Sequence, residues 1–132
     1  MSKRLNYKNA LERASRVLKD KRLSQKLVNE AKETLTSRAK VSEKIGQLKN
    51  KIAILIRLVK AYTKGTYRDI SKKSMLYTVG VLLYFITPMD IIPDFIPVSG
   101  FLDDASLLLW LYNHLSTELQ QFIAWESKQE EK

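Results

Sequence analysis

Four aspartates are the side chains of this sequence with the best claim to chemistry. Asp90, Asp94, Asp103 and Asp104 bracket a turn of 15 residues. Carboxylates brought together there could converge on a hard cation such as Mg²⁺ or Ca²⁺, which prefers carboxylate and carbonyl oxygens. The spacing fits no EF-hand loop. A structural account competes and is favoured: Asp103 and Asp104 cap a helix, while Asp90 and Asp94 satisfy turn amides beside prolines. Paired carboxylates can also act as acid and base, but no Lys or Arg occurs from Ser74 through Ser127 to assist them. The single histidine, His114, stands about three turns further on and reads as a packed or helix-end residue. Gly46, Gly65, Gly80 and Gly100 are isolated, so no glycine-rich phosphate loop is present. The absence of cysteine excludes disulfides, thiolate metal sites and cysteine nucleophiles. No catalytic residue and no cofactor is assigned, and a non-enzymatic protein is expected.

The elements that would position the aspartates are helical. Gly and Pro total only 7 of 132 residues, too few for a sandwich or barrel with many tight turns. Tyr7, Leu11, Ala14 and Leu18 predict a first helix over Asn6–Lys21. Leu27, Val28, Ala31 and Leu35 predict a second, from Ser24 as N-cap to Arg38. Val41, Ile45, Leu48, Ile52, Leu55, Val59 and Tyr62 step by four and three, a heptad seam on one long helix. Ala53, Ile54, Ile56 and Leu58 widen that face, so this helix should meet more than one neighbour. Gly65 is its expected stop. Residues 74–89 then run 16 positions without a charge. All three prolines, Pro88, Pro93 and Pro97, follow within the turn, and a helix cannot continue through them. A last helix is expected from about Leu102, with Asp103 and Asp104 in its first turn, to about Trp125. Ser127 to Lys132 reads as a frayed tail.

Charge divides the chain. Residues 1–73 hold 21 Lys/Arg and 6 Asp/Glu, whereas residues 74–132 hold 2 and 8. A basic helical region at 1–66 and an apolar, acidic region at 67–132 are therefore expected. The basic half suits a polyanion or an anionic lipid surface, or it solvates helix faces and answers the acidic half within the fold. The opening residues carry no apolar signal run, so a cytoplasmic start is expected.

The string from Leu83 to Asp104 resembles the hallmark of the YkvA-like family of small bacterial proteins, a domain of unknown function. Pro88, Asp90, Pro93, Asp94, Pro97, Gly100, Asp103 and Asp104 match its Pro-x-Asp, Ile-Pro-Asp-x-Ile-Pro, Gly and Asp-Asp pattern. The resemblance covers about residues 65–115 and leaves the basic helices outside. It implies a compact apolar helical hairpin with membrane association, and no established activity.

The resulting expectation is an all-α helical bundle whose apolar hairpin is broken by a Pro/Asp-rich turn. Spanning about 30 Å of hydrocarbon takes roughly 20 apolar residues, and runs of 16 and 13 (Ala105–Thr117) fall short of it. The hairpin then serves as an anchor on the cytoplasmic side of the cell membrane, with the basic arm on anionic headgroups. The alternative is a soluble cytoplasmic interaction module with the hairpin as its core. Val41, Ile45, Leu48, Ile52, Leu55 and Val59 could mediate self-association or bind a protein partner, although intramolecular packing explains them equally well. Nucleic acid is the less favoured partner, since the cations are spread over several helices without a recognition motif.

Overall fold

The structure, a computed structural model, describes residues 12–86 and 104–130. The proline turn with Asp90, Asp94 and Asp103 lies outside the described residues, as does the start of the first helix. Among the described residues the chain is all-α, without a strand. Helix α1 covers 12–19. It is followed by α2 (Lys21–Val41), α3 (Glu43–Gln47), α4 (Lys49–Lys64), α5 (Lys72–Ile86), α6 (Asp104–His114) and α7 (Ser116–Glu130).

The breaks between helices have local causes. Asp20 leaves helical geometry and its carboxylate accepts from the Arg22 and Leu23 amides, capping α2. The expected N-cap, Ser24, instead lies inside α2, buried, where its hydroxyl donates to the Val17 carbonyl and ties α1 to α2. The heptad helix expected across Val41–Tyr62 is not continuous. Ser42 adopts an extended backbone and its hydroxyl accepts from the Ile45 amide, starting the five-residue α3. Leu48 then interrupts again before α4. This corner folds α3 tightly onto the end of α2. A Cβ at Gly46 would stand 3.3 Å from the Ala39 carbonyl oxygen, closer than side chains usually approach. At the other end of the chain Leu115 separates α6 from α7, where one helix was expected, and α7 stays helical to Glu130 through part of the expected tail.

Gly65 ends α4 as expected, in left-handed geometry (φ 83°), while the Thr66 and Tyr67 amides donate to the Ala61 carbonyl. A side chain is strained at this φ. Gly65→Ala is therefore expected to lower stability by about 1 kcal/mol, read as a lower urea midpoint.

Helix α4 is the hub. It packs on α2, α3, α5, α6 and α7, and its contact with α2 is the most extensive in the molecule. Ile52, Leu55, Ile56, Leu58 and Val59 of α4 are buried, so the widened apolar face meets several neighbours, as its sequence implies. Helix α5 packs on α2, α4 and α6. Its Met75, Val79, Val81, Leu82 and Phe85, with Leu107, Leu108 and Leu111 of α6, join the residues of α1 to α4 in one core. Helices of the basic and of the apolar half thus share one core. Cations of the basic half also cover aromatic rings of the apolar half: Arg38 lies 5.2 Å from the Phe85 ring centre, and Lys51 lies 5.0 Å from that of Tyr112.

This packing changes the reading of two apolar features. Ile45, Ile52, Leu55 and Val59 of the proposed self-association seam are buried in the chain's own core, Leu48 is half-buried, and Val41 points away at 87% exposure. The seam is used intramolecularly. The large side chains of α5 and α6 expected to meet a bilayer are likewise directed largely at this chain's interior. Among the described residues, no helix is long and apolar enough to cross a membrane.

Candidate functional site

Of the four aspartates, only Asp104 falls among the described residues, where it opens α6. The cation-site expectation for Asp90, Asp94 and Asp103 lies outside them. His114 stands at the exposed end of α6, stacked on Trp110 with ring centres 5.0 Å apart. The sequence reads it as a packed or helix-end histidine, and its exposed position at the end of α6 fits the second.

The residues that do form a site come from the basic half. Lys21, Gln25, Lys32 and Thr36 repeat along one face of α2, and Arg57, Lys60 and Lys64 along one face of α4. Because α2 and α4 pack together, these faces border a common groove. It opens into two adjoining cavities of about 650 Å³ each, which share Lys32, Lys60, Lys64 and Thr66. The first reaches toward α7 and is floored by apolar side chains, among them Leu35, Ala53, Ile56, Phe122 and Trp125. The second runs toward the start of α2 and is the more polar of the two, with Ser24, Gln25, Asn29 and Thr63 beside Lys21, Arg22 and Val28.

Charge in the groove is one-sided. Lys21, Arg22, Lys32, Arg57, Lys60 and Lys64 line it, against Glu126 as the one carboxylate among the described residues that line it. Glu126 is committed to Arg57 through a bidentate pair, with 2.8 and 3.1 Å contacts, that joins α4 to α7. This hydrogen bonding raises the Arg57 guanidinium above its ordinary value, against the opposing effect of partial burial. Lys21, Arg22, Lys32, Lys60 and Lys64 are exposed and form no ion pair among the described residues. Five uncompensated cations along one groove create a positive potential that attracts anions.

An aromatic cluster closes the α7 end. The Tyr67 ring lies 5.1 Å from Phe122 and 5.2 Å from Trp125. Tyr67 is 5% exposed, and its hydroxyl makes a long hydrogen bond to the Asp69 carbonyl at 3.4 Å. Burial, and secondarily the negative charges of Asp69 and Glu118, push its phenol above the ordinary value. The unfolded chain therefore releases this proton first. The stability this group contributes is complete below about pH 10, the unfolded value, and disappears as the pH rises through the folded one. Tyr67→Phe is expected to lose less stability than the parent protein between about pH 9.5 and pH 11, measured by urea unfolding at each pH.

Sequence reasoning treated the cations of the basic half as spread over several helices, Lys32 among them, and did not gather these into one surface. Arg57, Lys60 and Lys64, at i, i+3 and i+7 on α4, were legible as one face. What the sequence could not supply was the pairing of that face with α2.

Comparison with known proteins places the chain among small proteins without an assigned activity. Residues 75–110 match the family described as "Protein of unknown function (DUF1232)". The chain is 32% identical over 74 residues to the "Uncharacterized membrane protein YkvA" of Bacillus subtilis, a match covering 56% of this chain and 70% of that protein. No solved structure matches it significantly.

Proposed function

Since the chain belongs to the YkvA-like family, we propose that it is a non-enzymatic protein that docks on the anionic cytoplasmic face of a membrane through the cationic groove between α2 and α4. The observation that carries this reading is the row of exposed cations, Lys21, Arg22, Lys32, Lys60 and Lys64, without a compensating carboxylate among the described residues. Each such charge near an anionic leaflet is worth about 1 kcal/mol. The name of the Bacillus subtilis relative supports a membrane location. In this reading α5 and α6 form the interior that holds the docking surface in shape, and the cations, not the apolar pair, make the contact.

The reading is tested by sedimenting the protein with vesicles of phosphatidylglycerol and phosphatidylcholine, or of phosphatidylcholine alone, across a salt series. Binding is expected to the anionic vesicles only. It should fade between about 0.1 and 1 M salt, as the screening length falls from about 10 to about 3 Å. Equal binding to both vesicle types, or stronger binding to nonspecific duplex DNA than to anionic vesicles, would sink it.

A further inference from the structure

The two cavities of the groove differ in chemistry, and their difference points to a specific ligand. Where they meet, Lys32, Lys60 and Lys64 bring together ammonium groups that pair with no carboxylate among the described residues. On one side of that cluster the lining carries more polar groups, and on the other it is more strongly apolar. Small residues of α4 line the apolar side. Ala53 and Ala61 are half-buried where larger side chains would fill the depression, and Ile56 and Phe122 lie beneath, 2% and 1% exposed. Duplex DNA or a free phosphate would use the ammonium groups and leave the apolar floor in water. A neutral hydrocarbon would use the floor and leave the cations unanswered.

We propose that this groove is a binding site for one anionic lipid, its headgroup held by Lys32, Lys60 and Lys64 and one acyl chain lying on the Ala53, Ala61 and Trp125 side. The proposal rests on the surface-docking reading for the source of its ligand, and it adds a stoichiometric site to what would otherwise be diffuse attraction. The volume of about 650 Å³ on the apolar side is within the range of small-molecule pockets. Trp125 lines it, so occupancy should change that residue's fluorescence directly.

Dodecyl phosphate below its micellar concentration is the probe, titrated into the full chain while tryptophan emission is followed. A saturable blue shift at one equivalent is expected. It should vanish in Trp125→Phe, leaving Trp110 unresponsive. The combined Lys32→Gln, Lys60→Gln and Lys64→Gln variant should bind about a hundredfold more weakly. Ala53→Leu with Ala61→Leu fills the slot from the solvent side and should also abolish the shift, while retaining vesicle binding. The proposal is overturned if no saturable response is seen, if dodecyl maltoside binds as well as dodecyl phosphate, if inorganic phosphate competes at equal concentration, or if the shift persists in Trp125→Phe. Salt-sensitive vesicle binding without a dodecyl phosphate response overturns the slot and leaves surface docking standing. Loss of both overturns the two together.

Discussion

Leu55→Ala is expected to destabilise the protein by about 2–5 kcal/mol, a large share of what a domain of this size possesses. Leu55 is fully buried at the middle of α4, the helix against which α2, α5, α6 and α7 all pack. Truncation removes the transfer free energy of the lost carbons. It also leaves a cavity between helices that cannot all close in together. The measurement is the urea midpoint, with the slope of the transition unchanged. A shift corresponding to less than about 1 kcal/mol would mean that α4 is not the hub described above. The result also bears on the seam: a residue free to serve self-association would tolerate truncation with little loss.

The second large effect concerns the groove. Replacing Lys32, Lys60 and Lys64 together by glutamate is expected to weaken binding to anionic vesicles by at least about a hundredfold. Loss of three attractive charges alone accounts for about 3 kcal/mol, and the introduced carboxylates add repulsion. All three lysines are exposed and unpaired, so the urea midpoint should barely move. Those paired readouts separate a lost surface from a lost fold. Unchanged vesicle affinity with intact stability would remove the groove from the docking reading. A control reversal at Lys26 changes the same charge type outside the shared cluster, beside Glu30 at 3.9 Å, and should have a much smaller effect.

Local signals in the sequence carried different elements to different depths. Gly65 announced its role because a left-handed stop is something glycine does and other residues resist. Helix α5 was legible as an uncharged run between two lysines and a proline, and the broad apolar face of α4 correctly implied several neighbours. Breaks near Asp20 and Ser42 were expected but misplaced by a few residues, with helix starts set at Ser24 and Val41. The interruptions at Leu48 and Leu115 were not read. Apolar spacing passes through these positions undisturbed, so periodicity carries no trace of them. Asp20 and Ser42 each had capping chemistry, but so did Ser24, which the fold buries. The groove was less legible still. Its cations are separated by as much as 43 positions, from Lys21 to Lys64, and only the packing of α2 on α4 makes them neighbours. The aspartates illustrate the reverse: a conspicuous string identified the family, while the cationic surface that supports a function lies largely outside that string.

The shared interior has a consequence for kinship. The matched stretch of 36 residues, 75–110, contains much of α5 and part of α6, and among the described residues neither helix covers the other's whole apolar surface. In this chain further cover comes from α2 and α4, which lie before it. Any cousin that keeps the signature yet lacks equivalents of those two helices has to shield the same oily flank by other means, whether a duplicate subunit, a foreign chain or hydrocarbon itself. Members of one lineage could thus differ in how deeply they enter a bilayer without altering a letter of the signature they hold in common.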